Sequence, residues 1–284
     1  MKRFCKSIGI AILYLLFFVA LQMAVQSVLL YMLFFSKTLP YLLTGVSIPS
    51  YASLINQSID TFQAHLYTLT GLVDLIALIL FALFFVIQRK NFFTEIHIAP
   101  VRPFALPWIL LSAISLNVIV SYAVLHLPFP QEWQQAMENQ STAMVQDNMI
   151  AILITVIIIA PIFEEIFVRG LIYHSLLRGM HRIFAVIFSS LIFGLLHGNM
   201  IQFLYSFFIG ILFCLLNDRC QSLLASIIAH IIYNAASLAV SIIFAFFPNF
   251  TLIFLAVGGT VFLFAVIMLI ISTRVPTSKN AAAI

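Results

Sequence analysis

The sequence predicts an all-α polytopic membrane protein with about eight transmembrane helices and both termini in the cytoplasm. Three observations lead there. Of the 284 residues, 63% are hydrophobic and only 8% are charged, whereas soluble domains carry roughly 25% charged residues. The apolar residues also gather into runs of the ~20 residues that a helix needs to cross a hydrocarbon core of about 30 Å. Finally, the cations between those runs alternate from one side to the other.

Taken in order, the chain opens with Met1, Lys2 and Arg3, then Lys6, before an apolar stretch. That opening is like a signal peptide, but the stretch continues to Phe35, well past a signal core of about 7–15 residues, and reads as a retained first span over 8–35. Further spans are expected over 66–88, 105–126 and 148–170. Two short ones, 183–199 and 201–216, are separated only by His197-Gly198-Asn199-Met200, and 222–246 and 250–272 complete the set. If the short pair is re-entrant, the count falls to seven. The longest polar stretch, Pro128 to Asn148, reads as an outer loop with Trp133 as an interface anchor. Neither an internal repeat nor a Gly/Ser-rich linker divides the chain, so residues 1–284 form one integral membrane domain.

Loop charge gives the orientation. Lys2, Arg3 and Lys6, then Arg89, Lys90 and Arg102, Arg178 and Arg182, Arg219, and Arg274 and Lys279 all fall on one face. The other face holds Lys37 alone, with Asp60, Glu132, Glu138 and Asp147. Cation-rich short loops stay in the cytoplasm, which places both termini there. The net charge of +4 is explained by those loops and not by nucleic-acid binding. The cysteines Cys5, Cys214 and Cys220 form no CxxC and have no metal-ligand spacing.

Ionisable side chains at bilayer depth are costly, so each is a candidate for function. They are Asp74, Glu164, Glu165, Arg169, His197 and His230, with Asn117 and Asn234 as neutral polar companions. On a helix, Glu165 and Arg169 lie four apart and can pair on one face. Glu164 is turned about 100° away, without that cation, and an apolar setting makes such a carboxylate a better proton acceptor near neutral pH. Pro161 removes a backbone hydrogen bond and is expected to kink the helix. Phe193 and His197 share a helical face, as do His230 and Asn234, where the amide is expected to orient the imidazole. Two histidines and a glutamate from three helices could hold a metal ion, or could activate water directly with the imidazoles as donors to the oxyanion. Neither HExxH nor GxSxG occurs. The same buried groups would also serve a proton-coupled transporter, or lie in a membrane immunity protein that has no catalysis.

The ordered set Glu164-Glu165-x-x-x-Arg169, Phe193-x-x-x-His197 and His230-x-x-x-Asn234 resembles the CPBP family of intramembrane proteases, also called the Abi or CAAX protease family. The resemblance covers residues 148–240, an expected catalytic core. It includes the endopeptidases that trim prenylated CAAX proteins and bacterial relatives linked to bacteriocin self-immunity. It implies an endopeptidase acting on a membrane-associated peptide or protein within the bilayer; the compact chain, without eukaryotic retention signals, points to a bacterial plasma membrane. Glu164 would be the catalytic base. His197 and His230 would position water or a metal (zinc or another divalent ion), Asn234 would stabilise the oxyanion, and Glu165 and Arg169 would support. At 1.5 Å per residue, straight helices place His197 about 21 Å and His230 about 12 Å from the basic face. Tilt, the Pro161 kink or a fourth helix continuing to Arg178 must close that gap.

Overall fold

The computed structural model describes residues 2–273 and is built of helices; Arg274 and Lys279 lie outside that range. In chain order α1 is Lys2–Thr44, α2 Tyr51–Ala64, α3 Leu66–Ile87, α4 Leu106–His126 and α5 Gln131–Gln146. They are followed by α6 over Met149–Leu177, α7 Arg182–Leu195, α8 Met200–Cys220, α9 Leu223–Phe246 and α10 Thr251–Ser272. Among the described residues seven helices are long and apolar enough to cross a membrane. The eighth expected span is α7, whose 14 residues reach only about 21 Å. It therefore forms a hairpin with α8 through the turn at Gly198, which adopts φ +77°.

Two elements depart from the expected spans. The first helix runs 43 residues, past the expected end at Phe35 and through Pro40. The stretch expected as an outer loop instead contains the amphipathic helix α5, and a further helix, α2, lies on the same face. Short polar residues start these elements: Ser50 caps α2, Asn148 caps α6 and Asn199 caps α8, each accepting a hydrogen bond from a backbone N–H in the first turn.

The core lies between α3, α4, α6, α7, α8 and α9, while side chains such as Leu13, Met23, Ile79 and Leu263 face outward. Apolar residues on both inside and outside suit a lipid solvent, where close packing between helices replaces hydrophobic exclusion as the source of association. Small residues permit that approach. A Cβ on Gly194 would come within 2.8 Å of the Phe203 carbonyl oxygen, so α7 and α8 can meet only with glycine there. A Cβ on Gly210 would come within 3.0 Å of the Ser190 side chain on the other helix of the same hairpin.

The fourth span is the most irregular helix and the longest after α1. Its 29 residues alternate between α-helical and wider π-helical turns, the latter at Thr155–Ile159 and Ile166–Tyr173. Around Pro161 the helix widens into π-helical turns. In the π register the Ala160 N–H reaches back to the Thr155 carbonyl. The next acceptor, Val156 O, would then face residue 161, which as proline has no N–H to give. Running to Leu177, α6 also supplies the continuation that the depth argument required.

Candidate active site

The carboxylates of the Glu164-Glu165 pair are placed in different surroundings by helix geometry, as their spacing predicts. Glu165 and Arg169 are fully buried, and the Arg169 guanidinium donates to Glu165 Oε1 at 2.9 Å. The other arm of the guanidinium donates to the Gly210 carbonyl at 3.3 Å, and its plane lies over the Phe193 ring at 4.1 Å. Phe213 flanks it at 5.5 Å. A cation in a dry interior needs a full set of such partners, and the ring faces supply what hydrogen bonds do not.

His230, half a membrane away in sequence, enters this same cluster. Its Nδ1 lies 3.1 Å from Glu165 Oε1, so the nitrogen facing the carboxylate carries the proton and donates it. This corrects the expectation that Asn234 orients His230. The Asn234 amide instead donates to Val156 O at 2.8 Å, filling the acceptor that Pro161 leaves empty in the π-helical turn. Asn234 thus ties α9 to α6, and Glu165 sets the imidazole. With Nδ1 engaged, His230 turns Nε2 toward Glu164, 3.8 Å from its Oε2.

Glu164 has neither cation nor hydrogen bond at that oxygen: Oε2 is buried without a partner among the described residues. It lies at the edge of a cavity of about 1160 Å³ also lined by Phe193, His197, His230 and Asn234. His197 sits in the turn just beyond α7, its Nδ1 2.9 Å from the Phe193 carbonyl oxygen. A carbonyl only accepts, so Nδ1 holds the proton and Nε2 is left free. The Phe193 ring joins the two imidazoles edge-to-face, with centroids 5.0 Å from His197 and 5.6 Å from His230. The two imidazoles, placed at different depths by straight helices, thus flank one aromatic ring.

The donor types (a carboxylate and two imidazole nitrogens) suit a divalent metal, but their placement does not. Among the described residues no three His, Cys, Asp or Glu side chains converge closely enough to hold one. Glu164, His197 and His230 thus share a cavity without forming a three-ligand cluster.

Phe213 came forward only in three dimensions, while Asn117 and Asp74, named from the sequence, are placed beside the site and behind it. Phe213 packs on the His230 ring at 5.0 Å, yet nothing distinguishes it among 29 phenylalanines in the sequence. Asn117 donates to the Tyr233 carbonyl at 3.1 Å and the Ser237 hydroxyl at 2.9 Å, joining α4 to α9 beside the cavity. Asp74 is buried on α3 and is not part of the cavity wall. Toward the basic face, Asp218 accepts from the Tyr173 hydroxyl at 2.6 Å and from Arg182 at 2.7 Å.

Residues 146–236 match the family described as Rce1-like, type II CAAX prenyl endopeptidase Rce1-like. The chain is also 31% identical over 100 residues to the Bacillus subtilis protein named "Putative membrane peptidase YdiL". That alignment spans 34% of this chain and 41% of its relative. No solved structure matches.

Proposed function

We propose, from the match of residues 146–236 to the Rce1-like endopeptidase family, that the protein is an intramembrane endopeptidase in which Glu164 activates water. One observation carries this reading. Glu164 is the single carboxylate among the residues lining the cavity, and its Oε2 is unpartnered 3.8 Å from His230 Nε2.

Both protons of an attacking water then have acceptors. One passes to Glu164 Oε2; the other is held by the Nε2 lone pair of neutral His230, whose tautomer Glu165 fixes. This presents the water oxygen's lone pair to a substrate carbonyl. In this reading the imidazole nitrogens facing the cavity accept from the water, in place of the donor role to the oxyanion that the sequence also allows. Asn234 spends one amide proton on Val156 O and keeps the second for the developing oxyanion. On collapse, protonated Glu164 returns its proton to the leaving amine, so the carboxylate is regenerated. Arg169 and Glu165 hold the geometry without touching the substrate. No step runs through a metal.

The substrate is a membrane-associated polypeptide, and the setting is a bacterial plasma membrane with the basic loops in the cytoplasm. The transporter reading is less well supported, because no internal repeat divides the chain. Purified protein in liposomes with a membrane-anchored peptide tests the proposal. Glu164→Gln should lower cleavage by a factor of about 10²–10⁴, the usual worth of a general base. Cleavage should survive exhaustive chelation. Undiminished turnover by the Gln variant would refute the assignment.

A further inference from the structure

Four of the long helices that border the cavity do so toward one end only. On α6 the lining residues run from Ile152 to Glu164, and on α9 from His230 to Ala245. On α4 they run from Asn117 to Leu125, and on α8 from Gln202 to Ile209. The α4 and α6 ends adjoin the connection that carries α5, the α8 end the turn at Gly198 and the α9 end the connection at 247–250, all on the face opposite to Arg89, Lys90, Arg178 and Arg219. Past Glu164 and His230 the bundle is solid: Phe167, Val168, Tyr173, Phe213 and Leu223 are buried, and the Tyr173–Asp218–Arg182 network lies beyond them. Glu164 and His230 therefore form the floor of a cavity whose mouth lies on the face away from the basic loops.

The lining also has a chemical character. Amides and hydroxyls project into it, among them Gln26 on α1, Gln134 and Gln140 on α5, and Ser241 on α9. No lysine or arginine is among the lining residues, and Arg169 is sealed behind Phe193. Carboxamides both donate and accept, which matches the alternating groups of a peptide backbone. A free terminal carboxylate, by contrast, calls for a cation or a nest of N–H groups. The α5 helix lies over this mouth: Gln140 meets the Asn199 amide, and its carbonyl accepts from the Tyr67 hydroxyl at 3.3 Å.

We infer that the cavity takes an internal, extended polypeptide segment entering from the face opposite the basic loops, which the positive-inside rule makes the extracytoplasmic side, and not a carboxylate-ended tail delivered from the cytoplasm. That this segment is cleaved rests on the catalytic reading above; the route of entry does not.

The test uses the full chain with Cys5, Cys214 and Cys220 replaced, carrying Gln134→Cys or Ser241→Cys, both at exposed positions. A charged, membrane-impermeant thiol reagent is applied to right-side-out and inside-out vesicles. Labelling of both variants should be at least about tenfold faster in right-side-out vesicles, while a variant retaining only Cys5 should show the reverse. Equal or faster labelling of the two variants from the inside would overturn the inferred entry route. Two single-span probe proteins then carry a randomised segment next to either the outer or the inner end of the span. Glu164-dependent cleavage should be confined to the outer segment, and cleavage of the inner one alone would also overturn it. If neither is cleaved, the protease assignment fails, while the labelling still decides how the cavity is reached.

Discussion

In the half of the bundle nearest the basic loops, Arg169, Glu165 and Tyr173 are buried with partners from α6, α8 and α9, and aromatic rings fill the space around them. In the other half the same helices part around a cavity of about 1160 Å³, where Glu164 keeps an unpartnered oxygen and Gln and Ser side chains line the wall. The boundary passes between two consecutive residues. A 100° step along one helix sends Glu165 into the ion cluster and Glu164 to the cavity floor. Polar groups at membrane depth persist in two ways: paired with one another, as Glu165 and Arg169 are through one oxygen and one guanidinium arm while Glu165 Oε2 and Arg169 Nε make no hydrogen bond, or kept beside a space in which a substrate can match them.

If the two halves have these separate roles, substitutions should sort by side. The largest loss of stability is expected for Arg169→Met, which strands Glu165 and His230 in a dry interior. Removing one member of a buried pair typically costs about 3–5 kcal/mol, and thermal unfolding in detergent would register it. Asn234→Ala comes next. It leaves Val156 O without the donor that replaces Pro161's missing N–H, at a cost of about 1–3 kcal/mol, and it should also lower kcat more than KM.

A smaller effect is expected at Asp147, outside the spans. Burial pushes this carboxyl up, but hydrogen bonds from the Thr68 N–H and hydroxyl, the Asn148 N–H and His65 outweigh it and hold the group below the ordinary aspartate range. Because the folded state is the weaker proton binder, its contribution is complete above the ordinary aspartate pKa. It is lost as pH falls through the lowered value. Asp147→Asn should therefore destabilise by about 1 kcal/mol at neutral pH, the usual worth of a cap, and flatten the acid limb of a stability–pH curve. The smallest change belongs to Gln134→Ala in the open half, within about 0.5 kcal/mol of the parent. A loss there comparable to Arg169→Met would erase the contrast between the halves.

Much of this was legible in the sequence because it follows from period and composition. The apolar runs located every crossing, and the i, i+4 spacing paired Glu165 with Arg169 and set Glu164 apart. The irregular features were hidden. The π-helical turns on α6 depend on neighbours as much as on Pro161, so the partner of Asn234 could not be read from its four-residue distance to His230. That distance made an amide–imidazole contact look natural, but a carboxylate 65 positions away takes the imidazole. The α7 helix was read as a span because hydropathy does not reveal that its glycine-rich contact with α8 lets it stop short. The α5 helix looked like a loop because a polar helix lying on a membrane surface lacks the apolar run by which the others were found.

The most direct measurement compares Glu164→Gln and Glu165→Gln in parallel, each for thermal stability and for cleavage of one membrane-anchored peptide. Glu164→Gln should unfold at or above the parent temperature and lose cleavage by a factor of about 100 or more. Glu165→Gln should unfold several degrees lower, because Arg169 and His230 lose their shared anion. Matching losses of stability in the two variants, or cleavage retained by Glu164→Gln, would contradict the division of labour between these adjacent carboxylates.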